Sequence, residues 1–232
     1  MLLSLANRFI YVAGPKTGST TVESVLGPQC EVRLRGRKLK HIGHRAITLT
    51  FEELIHRAGL SPAEMFTFGV LRDPGDWLAS WFNYRSRPKL LARESPNYTG
   101  NIEFDEFCRD VCRPEPPPHA NFRAQMLRYS MSGRPSVDAL LDYARLSDGF
   151  RAIAANIGVD ISEQLSTTRE NVSTQRRASG SDINPQMMER LREKYPEDFK
   201  FYSLVQDSPN GVLTAPFDGG PRERCDHGRT SP

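Results

Sequence analysis

Apolar residues fall along this chain in short β-rich runs and in short helical stripes, punctuated by glycine and proline. Residues 8–13 (Arg8-Phe9-Ile10-Tyr11-Val12-Ala13) form a run of the kind buried on both faces of a parallel sheet. Gly14 and Pro15 break it, and Ser19 to Leu26 then reads as a helix stopped by Gly27-Pro28. A second apolar strand is predicted over Met65 to Leu71, and a third over Val137 to Tyr143. Pro74 suits the first turn of a helix whose apolar stripe is Trp77, Leu78, Trp81 and Phe82. Helices are also predicted over 104–112, 148–157 (ending at Gly158) and 185–195. Thr50 and Glu53 have capping-box spacing, which predicts a short helix from there to Arg57. The segment 30–47 carries no clear period, and Pro114 to Pro118 reads as a rigid connector. After about Val205 apolar residues thin out among Gly, Pro, Asp and Arg. One domain over 1–205, followed by a disordered tail over 206–232, is therefore expected.

Composition narrows the class without naming it. With 232 residues, 38% hydrophobic and 25% charged, the chain is too apolar for wholesale disorder and fits one core. A net charge of +3 does not announce a nucleic-acid binder. No run approaches the roughly 20 apolar residues of a membrane span, and the first six residues are too short for a secretory leader. Cys30, Cys108, Cys112 and Cys225 form no CxxC pair and have no histidines at ligand spacing. The expectation is reduced thiols in a cytoplasmic protein, with no metal site.

Chemistry concentrates at the first strand-to-helix turn, Gly14-Pro15-Lys16-Thr17-Gly18-Ser19-Thr20-Thr21. A glycine turn opening a helix aims backbone N–H groups at one point, where the helix dipole adds positive potential. Lys16 brings a full charge and three hydroxyls follow it, so a phosphate or sulfate is the ligand class. The lysine precedes Gly18, so the nucleotide pattern GxxxxGK[ST] is not met. The second strand ends in Arg72-Asp73-Pro74, with Ser80 eight residues after Arg72 on the next helix. An arginine there lies where open α/β sheets bind ligands, and its fork suits a phosphate. The expected fold is a three-layer, P-loop-like α/β domain, a central parallel sheet flanked by helices.

These two segments, PKTGST (15–20) and LRDPGDWLASWFNYR (71–85), resemble the sulfotransferases that use 3′-phosphoadenosine-5′-phosphosulfate (PAPS), closer to the carbohydrate and membrane-associated branch than to the aryl and steroid one. Weaker echoes follow in order at 137–157, at Glu170-Asn171-Val172-Ser173 and at 195–202. The resemblance implies that Pro15, Lys16, Thr17, Gly18, Ser19, Thr20 and Thr21 hold the 5′-phosphosulfate, with Lys16 neutralising the leaving oxygens. It implies that Arg72 and Ser80 bind the 3′-phosphate, and that Asn171, Ser173 and Arg176 close over the nucleotide. The segment Lys40-His41-Ile42-Gly43-His44 resembles one that bacterial members carry before the second motif. It makes His41 the first candidate for the base and His44 the second, with Glu23 and Glu53 behind. Trp77 departs from the branch, which often has arginine there, and an acid commonly found before Leu146 is missing.

The implied acceptor is a hydroxyl, on a saccharide or glycolipid. The basic run Arg33, Arg35, Arg37, Lys38 and Lys40 reads by default as solvated surface, though it also suits an anionic saccharide or peripheral membrane contact. Trp77, Trp81, Phe82 and Tyr84 read as packing residues. The rival readings are a small-molecule P-loop kinase using ATP and a nucleotide-binding module without turnover. Oligomeric state is not legible.

Overall fold

Strand-forming and helix-forming segments alternate as the sequence predicts, and the core follows from how each strand divides its side chains. A computed structural model describes residues 1–167 and 177–217. In chain order the elements are β1 (Leu2–Ser4), β2 (Phe9–Tyr11), α1 (Ser19–Leu26), β3 (Val32–Arg33), α2 (Arg37–Lys40), α3 (His44–Arg57), β4 (Phe66–Leu71), α4 (Pro74–Arg85) and α5 (Pro88–Leu91). There follow α6 (Phe104–Val111), a hairpin of β5 (Ser130–Met131) and β6 (Arg134–Pro135), β7 (Ala139–Asp142), α7 (Leu146–Ile157), α8 (Ser162–Thr167), α9 (Pro185–Lys194), α10 (Pro196–Asp207) and β8 (Val212–Thr214).

One six-stranded sheet has the order β3-β1-β2-β4-β7-β8. Its centre, β2, β4 and β7, is parallel, with Tyr11 opposite Phe68 and Val70 opposite Leu141. β1 runs antiparallel to β2, β3 antiparallel to β1, and β8 antiparallel to β7. Alternate residues of β2 feed opposite cores, as a period of two requires. Phe9 and Tyr11 meet α1 and α7 through Val22, Val25, Phe150 and Ile153. Ile10 and Val12 meet α3 and α10 through Ile47, Ile55, Phe201 and Val205. The result is three layers, a mixed sheet with a parallel centre between two helical faces. A satellite cluster joins α4, α6 and α9 through Trp77, Phe82, Phe107 and Leu191.

Two expectations change, and one strand is added. α3 begins at His44, not near Thr50. Thr50 lies inside the helix and its hydroxyl donates to the Ala46 carbonyl at 2.7 Å, so the Thr50/Glu53 pair caps nothing. β1, too short to read as a pattern, adds an antiparallel strand beside β2. The stretch from 206 to 217, expected to be part of a disordered tail, is ordered. β8 pairs with β7, and Phe217 packs edge-on against Phe201 at 6.0 Å between ring centroids. Arg145 fixes this return. It pairs with Asp142 at 3.1 Å and donates to the carbonyls of Val205, Gln206 and Ser208. Residues 218–232 lie outside those described. Among the described residues, no helix is long and apolar enough to cross a membrane.

Candidate functional site

β2 delivers the chain to the carboxyl edge of the sheet, and the turn into α1 is held there from three sides. Gly18 sits at the N-terminus of α1 with φ 75°, and Lys16 takes φ 67°. A side chain at Gly18 would be strained by that φ and would also meet the Tyr143 ring at 2.8 Å. Gly14 is required by proximity instead, since a Cβ there would lie 2.4 Å from the Tyr129 hydroxyl. Thr17 is fully buried and donates to the Gly14 carbonyl at 3.1 Å. From α4, the Trp77 indole N–H donates to the Pro15 carbonyl at 3.0 Å. From the end of β4, Arg72 donates to the Lys16 carbonyl at 3.4 Å. With its inward carbonyls so engaged, the turn points helix N–H groups outward.

Arg72 lies just past β4, its guanidinium 4.6 Å from the centre of the Tyr143 ring. Its backbone is gripped by Gln125, which accepts from the Arg72 N–H at 3.1 Å and donates to the Arg72 carbonyl at 2.9 Å. Gln125 is positioned in turn by Asp198 of α10, whose two carboxylate oxygens accept from the N–H groups of Gln125 and Met126 at 2.8 Å each. Burial pushes the Asp198 carboxyl up to about 6 against the pull of those two bonds.

α4 starts at Pro74, capped by Asp73, which accepts from the Asp76 N–H at 2.9 Å. Asp76, Ser80 and Tyr84 recur every four residues, so the helix presents them on one face. That face, the turn before α1 and the His41 segment enclose a cleft of about 650 Å³. Its walls include Pro15, Lys16, Gly18, Ser19, Thr20, Thr21, Lys40, His41, Arg72, Ser80 and Tyr143. Lys16 reaches over the Tyr84 ring at 4.8 Å. Burial first, then Arg87 and Arg72, push its ammonium down to about 8, so it still carries charge at neutral pH.

His41 is half-buried, with Nδ1 3.0 Å from the Ala13 carbonyl. A carbonyl only accepts, so Nδ1 carries the proton and Nε2 keeps a lone pair. Burial lowers the pKa of this imidazole, and Arg128 and Lys40 lower it further against the Ala13 bond, so it is neutral at pH 7. Arg128 also donates to the His41 carbonyl. The arrangement gathers Lys16, Arg72 and the N-terminus of α1 at one cleft, with a neutral imidazole in its wall.

A family model described as the sulfotransferase family matches residues 2–204. The chain belongs to the sulfotransferase family. No curated protein and no solved structure gives a significant match.

Membership fits where the residues singled out in the sequence fall. The sulfotransferase cleft brings together Pro15, Lys16, Gly18, Ser19, Thr20, Thr21, Arg72, Ser80 and His41. Thr17 is not in its wall but beneath it, where its side chain pins the turn. His44 is also outside. The start of α3 carries it inward to Ser136, with Nδ1 2.8 Å from that hydroxyl, and burial pushes it down to about 4. Asn171, Ser173 and Arg176 lie outside the described residues.

Sequence reading passed over several members of the site. Trp81 and Tyr84, read as packing, line the cleft, whereas Trp77 and Phe82 are indeed core. Tyr143 floors it, and nothing local marked that role. Asn83 clamps the segment returning toward α9, accepting from the N–H groups of Arg177 and Ala178 and donating to the Ala178 carbonyl at 2.8 Å. Trp77 is buried, and its indole is used in the bond to the Pro15 carbonyl.

Proposed function

We propose that this sulfotransferase takes its sulfuryl group from PAPS and transfers it to a hydroxyl, on a saccharide or glycolipid. The observation that carries the reading is the convergence of Lys16, Arg72, Ser80 and the N-terminus of α1 on one cleft that His41 also lines. Its volume is in the range, roughly 300–1,000 Å³, of ligand sites. PAPS supplies, when bound, an activated sulfuryl group at one end and a 3′-phosphate at the other. Lys16 and the amides of Gly18 to Thr20 neutralise charge on the leaving phosphate oxygens. This is the main demand of an in-line transfer. Arg72 and Ser80 hold the 3′-phosphate, which distinguishes the donor from ATP. Nε2 of His41 accepts the proton of the incoming hydroxyl. Closure over the nucleotide by Asn171, Ser173 and Arg176 belongs to the same proposal, as does a cytoplasmic setting. The free thiols of Cys30, Cys108 and Cys112 support that setting.

Calorimetric titration with 3′-phosphoadenosine-5′-phosphate (PAP), ADP and ATP–magnesium tests the donor. PAP is expected to bind tightest, and Arg72→Ala and Ser80→Ala to weaken it about tenfold or more, as for charge-assisted bonds to phosphate. Preference for ATP–magnesium would replace this reading with a kinase.

A further inference from the structure

We propose that Tyr84 is a positioning residue for Lys16, and that its ring, shared with Arg87, keeps the lysine ammonium at the cleft wall ready for an anion. The proposal rests on the sulfuryl-transfer reading of the cleft. It begins with a helix face. α4 brings Tyr84 into the wall one turn beyond Ser80, and Arg87 enters the same wall three residues later. Lys16 Nζ lies 4.8 Å and Arg87 Cζ 5.3 Å from the centre of the one Tyr84 ring. Lys16 leaves the main chain at φ 67°, a conformation that few residues other than glycine adopt. The backbone there is fixed by the Trp77 and Arg72 bonds to the carbonyls of Pro15 and Lys16. The direction of the lysine is thus set at its root by the turn and at its tip by the tyrosine.

The charges that act on that tip are those of Arg87 and Arg72, both positive; Asp76, a carboxylate in the cleft wall, lies two turns before Tyr84 on α4 and accepts from the Gly180 N–H at 3.0 Å. Lys40, also in the wall, is neutralised by Glu23 at 2.9 Å. No described carboxylate pairs with Lys16 or Arg87, and the two cations share one aromatic face system instead. The ring favours each cation through its quadrupole. It also shields Lys16 from water, and burial is the largest cause of the lowered lysine, with Arg87 next and Arg72 after it. An ammonium that is partly dehydrated and repelled by two guanidinium groups gains more from an arriving phosphosulfate than a solvated one does. Tyr84 therefore serves the donor through Lys16 and need not touch it.

The test reads Lys16 directly. The rate of acetic anhydride labelling at Lys16, followed by peptide mass spectrometry from pH 6.5 to 10, reports its titration with no acceptor required. In the wild-type protein PAP is expected to protect Lys16 at least tenfold. Tyr84→Phe keeps the ring and leaves both titration and protection within twofold of wild type. Tyr84→Leu keeps an apolar cover but removes the ring's attraction for the ammonium, moves the Lys16 titration to lower pH and reduces protection severalfold. Arg87→Gln moves the titration the opposite way, to higher pH, because a repelling charge is gone. Unchanged titration in both Tyr84→Leu and Arg87→Gln overturns the proposal, and so does equal loss in Tyr84→Phe and Tyr84→Leu. Thermal melting shows whether Tyr84→Leu is folded, and Arg87→Gln, at an exposed residue, keeps the test open if it is not. Failure of PAP to protect wild-type Lys16 would strike the reading of the cleft itself, whatever the variants do.

Discussion

In the proposed reaction, Lys16 is the residue whose protonation state most directly controls anion binding. Its ammonium is held down to about 8, while a bound phosphate raises it again by supplying the missing opposite charge. The sign follows. A proton is taken up on binding near pH 8, and affinity for PAP falls as pH rises from the free to the bound pKa. His41, held below its ordinary value, stays neutral across that window and contributes nothing to it. Calorimetry of PAP binding at several pH values, in buffers of different ionisation enthalpy, should show this uptake. Lys16→Met should abolish it, and His41→Ala should leave it intact. Uptake that survives in Lys16→Met would assign the titration to another group. That Lys16, Arg72 and Ser80 share one cleft was legible because their placement is local, fixed by the end of a strand and the first turns of a helix. Tyr143 and Gln125 were not legible. They act on Arg72 from 71 and 53 residues away in sequence, and only the sheet order brings them near it.

Elements with strong periodicity formed where expected, and those fixed by distant side chains did not announce themselves. α1 spans Ser19–Leu26 as its pattern predicts, because its stripe and its Gly-Pro stop are both local. β8 is the opposite case. It has only three residues, with Pro209 and Gly211 just before it, and forms because Arg145 gathers three carbonyls at the end of α10 and turns the chain back to β7. Arg145→Gln removes those bonds together with the pair to Asp142. The expected cost is about 1–3 kcal/mol, with hydrogen exchange at Val212 to Thr214 accelerated well beyond that at β2. Uniform acceleration across both strands would mean that Arg145 supports the whole sheet and not this return alone.

At the scale of the molecule, the cleft is built at the carboxyl edge of the sheet but is held from the far helical layer. Asp198, fully buried on α10, accepts from two successive backbone N–H groups. The turn they belong to carries Gln125, and Gln125 brackets the backbone of Arg72. The chain of contacts therefore runs from the closing helix to the residue assigned to the 3′-phosphate. Asp198→Asn keeps the shape but exchanges one acceptor for an N–H₂ group facing an N–H donor. One buried donor is then unpaired, at an expected cost of about 1–3 kcal/mol. A purely stabilising role predicts a lower melting temperature and unchanged nucleotide affinity in the protein that remains folded. Coupling through Gln125 predicts more, a lower melting temperature together with weaker PAP binding well below the melt, and an affinity loss that does not add to that of Gln125→Ala. The double variant separates the two. If its loss equals the larger single loss, Asp198 and Gln125 act on Arg72 as one unit; if the two losses add, the closing helix supports the fold without positioning the site.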